Sequence, residues 1–410
     1  MKDEVELSAA IISIIPKIQP YLWGDDYFIP SLLGVKSHGT PQAEIWFGTH
    51  PGGESTLPDG TQLGDFLRDH AAQYFGQNQL DHSGKELPFL LKVLAIAKPL
   101  SLQMHPNSEQ AKRGFAEEVA DHVNLPRDQW NYKDEHQKAE VLYALTPVTA
   151  LCGFLPYTQV RTHMMKLIPK HAPLVFPAES AEITDDEVSQ LETFFTTLYT
   201  LEKEQLHTLL AEYKESLESS DEPDETEDGN WLTASGIART CLAYYPEDPG
   251  VLAPFFLNVL NLQPGEAIYL EPRTLHSYIR GHGVELMSNS DNVLRAGLTH
   301  KKINVLELLR TLSFKPQEIL PCPIIREKSY RKTILAPTDD FILGVYETGD
   351  FTVDDRDSIE FLFCCEGSAT LTAHEVQYEL PQGSCLIVAS CIKNYSLTVD
   401  GLVFSASLPR

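Results

Sequence analysis

Two segments in the second half of the chain decide the fold: Leu262-Gln-Pro-Gly-Glu-Ala-Ile-Tyr-Leu270 and Leu380-Pro-Gln-Gly-Ser-Cys-Leu-Ile-Val388. In each, a turn of the Pro-Gly type precedes an alternating apolar strand. A tight turn that leads into a half-buried strand is typical of the hairpins of a β jelly roll. We therefore predict two related jelly rolls, although chance similarity between two hairpins would give the same pattern.

The pattern of apolar residues changes twice along the chain. From Ala10 to about Gly153, short apolar runs alternate with Gly, Pro and Asp turns, which predicts strands, and strand texture returns at Val251. Between Pro156 and Tyr245 apolar residues recur at the helical period. No glycine-rich nucleotide loop follows a strand. The order β, α, β predicts a mainly β fold with a helical insertion rather than alternating βαβ units.

Domain boundaries follow from these changes. We place a first jelly roll in residues 1–155 and 246–313, an inserted helical domain in 156–245, and a C-terminal jelly roll in 314–410. The acidic segment 218–229 within the insertion has too much like charge and too little apolar surface to pack, so we predict a mobile loop.

Three helix positions are specific enough to test. Thr184 followed by Glu187 has the spacing of a capping box before an apolar helical run. Asn107 or Ser108 is suited to cap a helix after His105-Pro106, and a further helix is predicted over residues 303–312.

Charge and composition limit the partners. The 58 acidic residues outnumber the 32 basic ones and give a net charge of -26, which repels nucleic acid and anionic membranes. The apolar stretch 87–104 is interrupted by Lys92 and Lys98, and the N-terminus has no secretory pattern, so we expect a cytoplasmic protein. The seven cysteines fit reduced thiols and no Cys-based metal site.

Three segments concentrate residues that could bind a metal ion. Strand alternation puts Gln103 and His105 on one face, Glu140 begins a later strand, and His276 follows the first Pro-Gly strand. Four nitrogen and oxygen donors suit zinc. Each residue taken alone also fits an ordinary surface role, so spacing by itself does not establish the site.

The segment 283–301 contains a polar centre, Ser288-Asn-Ser-Asp-Asn292, that is too polar for a core strand. Arg295 follows soon after, so we predict a loop that presents Arg295 to a pocket. A surface hairpin is the alternative.

Together these segments resemble the type I phosphomannose isomerase family, zinc enzymes of the cupin superfamily. The resemblance runs in order along most of the chain, and the segments that carry it are Tyr21-Leu-Trp-Gly24, Ala43-Glu-Ile-Trp-Phe-Gly-Thr-His-Pro51, Leu87-Pro-Phe-Leu-Leu-Lys-Val-Leu94, Pro99-Leu-Ser-Leu-Gln-Met-His-Pro-Asn107, Tyr132-Lys-Asp134 to Glu140, Tyr245-Pro-Glu-Asp-Pro249, Leu275-His-Ser-Tyr278 and Asn289-Ser-Asp-Asn-Val-Leu-Arg-Ala-Gly-Leu-Thr299. It implies two cupin jelly rolls.

The resemblance also implies the site. One zinc ion per chain would be held by Gln103, His105, Glu140 and His276. The resemblance gives Arg295 a catalytic role, with Lys138, Glu285 and Asp291 as neighbours in binding or proton transfer, and places Lys92, Ser101 and Lys301 against the substrate.

Two departures from the family pattern stand out. The family usually reads Asn-His-Lys-Pro-Glu where this chain has His136-Gln137-Lys138-Ala139-Glu140, and Thr-Pro-Lys where it has Thr299-His300-Lys301. A proton-transfer role for the family histidine is therefore in doubt here, and His136 is a nearby substitute.

The implied reaction interconverts mannose 6-phosphate and fructose 6-phosphate, a step that feeds mannose metabolism and GDP-mannose synthesis. A small sugar phosphate is the expected partner, and the oligomeric state is open, with a monomer expected.

A non-catalytic sugar-binding cupin and an iron-dependent cupin oxygenase are the other classes, and the catalytic base stays open among Glu285, Asp291 and Lys138. The C-terminal jelly roll contains a single histidine, His374. When its Pro-Gly type turn is aligned with that of the catalytic jelly roll, Asn394 takes the position of His276. We therefore expect the C-terminal jelly roll to bind no metal and to cover the catalytic jelly roll.

Overall fold

The strands of the protein fall into two groups along the chain, with helices between them. The structure, a computed structural model, describes residues 10–121, 126–176, 186–301, 303–327 and 331–409. The first group of strands ends at Phe154, helices occupy the chain as far as Tyr244, and strands resume at Leu257. The predicted mainly β fold with a helical insertion is confirmed.

The first jelly roll consists of two antiparallel sheets that share one long strand, β10 (His276–Ser288). Sheet I contains the second half of β10 with β2 (Lys17–Gln19), β3 (Glu44–Phe47), β4 (Phe89–Ile96), β6 (Glu140–Ala144) and β9 (Ala267–Leu270). Sheet II contains the first half of β10 with β5 (Leu102–Met104), β7 (Val148–Phe154), β8 (Leu257–Leu262) and β11 (Leu294–Gly297). Gly281 lies at the change of partners with φ 120°, and a Cβ there would be 2.5 Å from the carbonyl oxygen of Pro147. Glycine therefore lets one strand serve both sheets.

Side chains alternate between the two faces of each sheet, so the two sheets enclose an interior. In β4, Leu91 packs on the outer face of sheet I, whereas Leu94 packs between the sheets. In β5, Leu102 packs on the outer face of sheet II. Lys92 and Gln103 therefore face the interior.

The C-terminal part forms a second jelly roll, built on sheet III. Its strands are β12 (Ile324–Glu327), β13 (Arg331–Ile334), β14 (Ile342–Val353), β15 (Glu360–Ala373), β16 (Val376–Pro381), β17 (Cys385–Val388) and β18 (Tyr395–Ser407). The N-terminal strand β1 (Ile11–Ile14) pairs antiparallel with β17 and thus joins sheet III, whereas the predicted boundaries put residues 1–155 in the catalytic jelly roll. β1 joins sheet III because it covers the edge of β17 and buries the side chains of Ile11 and Ile14 there.

Sheet III packs on the outer face of sheet I, and aromatic side chains dominate the contact. The ring centroids are 4.9 Å apart for Phe47 and Phe363, 5.3 Å for Phe89 and Phe361, and 5.1 Å for Tyr143 and Phe404. Rings at these separations contribute to stability beyond the area that they bury. The second jelly roll therefore covers the sheet that carries Lys92, Glu140 and Glu285.

We expect Phe361→Ala to destabilise the protein strongly. Phe361 is fully buried, and truncating a buried phenylalanine leaves a cavity that costs about 3–5 kcal/mol. Thermal unfolding followed by circular dichroism measures the loss. Leu306→Ala is the control because Leu306 is 82% exposed, and equal melting temperatures for the two variants would contradict this packing.

Helices interrupt the strands of the first jelly roll along the chain. They are α1 (Phe28–Leu32), α2 (Leu63–Asp69), α3 (Ala71–Tyr74), α4 (Gln77–Ser83) and α5 (Ser108–Asp121). The predicted helix after His105-Pro106 is α5, and the Asn107 side chain accepts a hydrogen bond from the Gln110 backbone N–H at 2.9 Å. This interaction is the capping contact that the sequence predicts.

The inserted helices pack on the outer face of sheet II. They are α6 (Tyr157–Leu167), α7 (Ala172–Val175), α8 (Glu187–Tyr199), α9 (Lys203–Glu218) and α10 (Ala234–Tyr244). The cap of α8 is Asp186, whose carboxylate accepts from the Val188 backbone N–H at 3.3 Å. The predicted capping residue Thr184 lies outside the described residues.

The acidic segment 218–229 is attached to its surroundings, in contrast to the predicted mobile loop. Three basic side chains pair with its carboxylates: Arg239 with Asp224 at 2.5 Å, Lys166 with Glu222 at 3.0 Å, and Arg280 with Glu225 at 2.6 Å. These partners lie far away in sequence, so local composition could not predict them.

The helix predicted over residues 303–312 is α11 (Val305–Thr311), which the Asn304 side chain caps. Within the described ranges, none of the helices combines the length and apolar character that a membrane crossing needs. The seven cysteines are free of disulfides, and the neighbours Cys364 and Cys365 are buried in β15.

Candidate active site

Three of the four predicted metal ligands meet between sheets I and II. His105 follows β5 and His276 begins β10, so sheet II supplies two imidazoles, while Glu140 at the start of β6 supplies a carboxylate from sheet I. The Nε2 of His105 lies 3.4 Å from Glu140 Oε1, and the Nε2 of His276 lies 3.5 Å from Glu140 Oε2. Among the residues that the structure describes, this is the one group of His, Cys or acidic side chains that is compact enough to share a metal ion.

Backbone carbonyls orient both imidazoles. The Nδ1 of His105 is 2.7 Å from the Asn292 carbonyl oxygen, and the Nδ1 of His276 is 2.9 Å from that of Thr274. Each Nδ1 therefore carries the proton, and each Nε2 is left with a lone pair toward Glu140. Burial, together with the charge of Lys138, lowers the pKa of His105 to about 4, so its imidazole is neutral at physiological pH.

Two buried atoms in this group have no hydrogen-bond partner within the described chain: Oε2 of Glu140 and Nε2 of His276. Buried polar atoms are nearly always paired, and an unpaired one is costly. Two imidazole nitrogens and a carboxylate are also donors that zinc prefers. The residues present therefore fit a zinc ion.

Lys138 is the charged neighbour of this group. Its Nζ lies 2.6 Å from Glu140 Oε1 and 3.5 Å from the Nε2 of His105. Burial acts to raise the pKa of Glu140, but the charge of Lys138 and the contact with His105 hold the pKa well below its usual range. Glu140 is therefore a carboxylate at neutral pH, which is the form that binds metal.

Gln103 lies in the same row of side chains as His276 and Arg295. In the strand register, Gln103 is opposite His276 on one side and opposite Arg295 on the other. Directly opposite residues of antiparallel strands project from the same face. The Ser101 hydroxyl donates to Oε1 of Gln103 at 3.2 Å, which fixes the amide.

Arg295 is half-buried on the inner face of β11, whereas we predicted a loop residue. In the described part of the chain its guanidinium makes neither an ion pair nor a hydrogen bond, although Asp291 is a nearby charge. Lys301 lies in an exposed turn beyond β11, where its backbone N–H donates to the Thr299 hydroxyl. An unpaired, half-buried guanidinium is available to a bound anion.

The polar segment 288–292 is a buried, internally bonded loop rather than a surface hairpin. Asn292 is fully buried, and its amide donates to the carbonyl oxygens of Asp134 and His136, each at 2.9 Å. Its own carbonyl accepts from His105. The polar segment makes these internal hydrogen bonds and orients His105, a cause of its polarity that pattern analysis could not detect.

A second charged group, centred on Lys92, lies on the interior face of sheet I. Its Nζ is 3.1 Å from Glu285, 3.7 Å from Glu44 and 5.1 Å from the ring centroid of Trp46. Burial acts to lower the pKa of Lys92, but the two carboxylates raise it. Burial raises the pKa of Glu285, and Lys92 offsets only part of that rise. The sequence did not mark Glu44 or Trp46 as site residues. The only signal for them was that both lie in the segment 43–51, which carries part of the family resemblance.

Asp291 lies apart from this charged group and pairs with Lys133 at 2.7 Å. Burial acts to raise the pKa of Asp291, but the hydrogen bond and charge of Lys133 lower it below the usual value. Lys133 is another residue that the sequence did not single out.

A cavity of about 770 Å³ opens beside this loop, with His50, Lys133, His136 and Asp291 in its wall. The sequence assigns no role to His50, because a lone histidine has no spacing signal. Burial and the charge of Lys92 lower the pKa of His50 to about 4. His136 is exposed, and the Gln137 amide donates to Asp340 at 3.2 Å.

Known proteins of one family resemble this chain along most of its length. A family model for the catalytic domain of type I phosphomannose isomerase matches residues 11–157. The mannose-6-phosphate isomerase of Escherichia coli K12 is 33% identical over 387 residues, a match that covers 92% of this chain and 94% of that protein. The mannose-6-phosphate isomerase of Bos taurus is 31% identical, with 95% and 96% covered.

Solved structures give the same result. A glutamate-to-alanine variant of phosphomannose isomerase from Salmonella typhimurium superposes with a TM-score of 0.87 at 29% identity, covering 98% of this chain and 100% of that one. A mannose 6-phosphate isomerase bound with zinc and yttrium gives a TM-score of 0.86 at 30% identity, with the same coverage. The chain belongs to the type I phosphomannose isomerase family.

Proposed function

We propose that the protein interconverts mannose 6-phosphate and fructose 6-phosphate by moving a proton between C1 and C2. Relatives that it matches over more than nine-tenths of their length are named for this activity. The observation that carries the proposal is the unpaired guanidinium of Arg295, one strand from Gln103 and facing the same interior as the two histidines.

Gln103, His105, Glu140 and His276 hold one zinc ion per chain in this proposal. The unpartnered Nε2 of His276 and the unpartnered Glu140 oxygen support it, as does the zinc in a related mannose 6-phosphate isomerase. When bound, zinc would polarise the sugar oxygens near C1 and C2 as a Lewis acid.

Arg295 stabilises the negative charge that develops on the sugar oxygens as the proton leaves carbon. A guanidinium that is already half-buried beside the reacting oxygens stabilises that charge more strongly than water would, which is the basis of electrostatic catalysis. In this proposal Lys301, exposed beyond the same strand, binds the phosphate. Ser101 keeps Gln103 in position, and Lys92 keeps Glu285 in position.

Glu285 is our choice for the proton-transferring base. Burial raises its pKa, which brings the carboxyl group closer to the operating pH, where a general base is most effective. The pKa of Asp291 is lowered by Lys133, and Lys138 is already paired with Glu140. Both are therefore weaker choices.

A coupled assay over several hexose 6-phosphates, with and without chelator, tests the proposed function. We expect turnover of mannose 6-phosphate that chelation abolishes and added zinc restores. Sugar binding without turnover would instead indicate a non-catalytic binding protein. Turnover that depends on iron and oxygen would indicate an oxygenase.

Glu285→Gln should lower kcat by about 10²–10⁴-fold, the range for loss of a general base. Glu44→Gln is the matched control, since Glu44 is the other carboxylate beside Lys92 and also loses only its charge. Steady-state kinetics of both variants separate the roles. Similar losses would mean that Glu285 only balances the charge of Lys92.

A further inference from the structure

The second jelly roll has a cavity of its own, about 580 Å³ in volume. All the residues in its wall come from the segment 331–409, so it is separate from the candidate active site. Exposed residues of its wall, Thr352, Asp354 and Asp357, lie at the mouth. The volume is in the range of about 300–1,000 Å³ that small-molecule sites occupy, and the mouths of β-barrels are common places for such sites.

Three buried side chains in the cavity wall have polar atoms without a hydrogen-bond partner among the described residues. They are Oγ1 of Thr333, Oε1 of Glu360 and the hydroxyl oxygen of Tyr346, in residues that are 6%, 3% and 1% exposed. The Oγ of Ser405, fully buried, is also unpartnered within the described chain. Buried groups of this kind are normally satisfied by a ligand or by ordered water.

Strand register explains why these groups converge. Thr333 lies opposite Gly344, and Gly344 lies opposite Ser405, so all three project from one face of sheet III. A Cβ on Gly344 would lie 2.4 Å from the Ser405 hydroxyl oxygen and 2.7 Å from Nε of Arg331. Glycine therefore leaves room for the polar groups that surround it.

Hydrogen bonds to one carboxylate oxygen hold Glu360 in place and leave its other oxygen without a partner among the described residues. Its Oε2 accepts from Nε of Arg356 at 2.9 Å and from the Tyr395 hydroxyl at 2.9 Å. The other N–H groups of Arg356 donate to four backbone carbonyl oxygens, for example that of Ile392 at 2.6 Å. The carboxylate is thus rigid, and Oε1 is a free hydrogen-bond acceptor.

We propose that this cavity is a second, non-catalytic site that binds a neutral polyhydroxylated molecule of monosaccharide size. Sugar hydroxyls donate to Glu360 and both donate to and accept from Thr333. The rings of Tyr346 and Phe351, in the same wall, offer an apolar surface to the sugar carbons.

The charges in the wall favour a neutral ligand over an anion. The carboxylates Asp354, Asp357 and Glu360 outnumber the guanidinium groups of Arg331 and Arg356. A phosphate would meet a local excess of negative charge in addition to the net charge of -26 of the chain.

Saturation-transfer NMR on the zinc-loaded full chain tests the proposal with D-mannose, D-glucose and D-fructose, none of which carries phosphate. We expect saturable binding of at least one of them. Thr333→Val removes one hydroxyl at nearly constant volume and should weaken that binding at least about fivefold. Turnover of mannose 6-phosphate should stay unchanged in this variant, which separates this proposal from the proposed function.

Thr372→Val is the matched control because Thr372 lies in β15 of the same sheet and outside the cavity wall. The idea fails if none of the three sugars binds below roughly 100 mM, or if Thr333→Val binds as tightly as the control. Displacement of the sugar by inorganic phosphate would overturn the assignment to a neutral ligand.

Discussion

His276→Ala should yield a folded protein that has lost both its zinc and its turnover. The imidazole supplies one of the donor atoms, and its unpartnered Nε2 is 3.5 Å from Glu140. Alanine cannot replace that lone pair, so the remaining donors bind zinc far more weakly. We expect zinc to fall from about one ion per chain to nearly none, with a loss of turnover of roughly 10³-fold or more.

Elemental analysis of the purified protein and a coupled kinetic assay measure the two losses. His207→Ala is the control, since His207 is an exposed histidine on α9 and should keep both zinc and activity. Stoichiometric zinc and normal turnover in His276→Ala would refute the metal assignment. A second tightly held ion that survives this change would refute the expectation of one zinc per chain.

Arg295→Lys should keep the fold and the zinc but lose about 10²–10³-fold in kcat. Arginine presents a planar fork of donors, whereas an ammonium is a compact point charge on a flexible stem. Arg295 has no protein partner to lose in the described structure, so the change should act on the bound substrate rather than on stability. The effect should fall on kcat if the interaction forms mainly in the transition state.

Steady-state kinetics with zinc analysis checks this prediction. Arg310→Lys is the matched control, because Arg310 is an exposed arginine that pairs with Glu117 at 3.1 Å on the surface. An unchanged kcat in Arg295→Lys would give Arg295 a purely structural role.

The sequence was informative where one segment determines its own structure. Turns before alternating strands predicted both jelly rolls, and the helical period of the apolar residues between Pro156 and Tyr245 predicted helices such as α8. It failed where distant residues decide the outcome. Arg239 and Arg280 hold the acidic segment, and Ile11 joins sheet III because the edge of β17 accepts it.

The same division holds for the site. The motifs and the family resemblance predicted that His105, Glu140 and His276 lie together, which the structure shows. They could not predict that the Asn292 carbonyl orients His105, or that Glu44 shares Lys92 with Glu285, since both contacts join distant strands. The sequence could not reveal the unpartnered polar atoms of Thr333 and Glu360 either, because only the folded sheet shows which groups lack hydrogen-bond partners.

Proton NMR of mannose 6-phosphate with the zinc-loaded enzyme in D₂O tests the central claim most directly. Proton transfer between C1 and C2 predicts that fructose 6-phosphate appears, that solvent deuterium enters at C1 of the product and at C2 of the remaining substrate, and that chelation stops both. Product formed with no deuterium, or sugar phosphate bound with neither product nor exchange, would contradict the account.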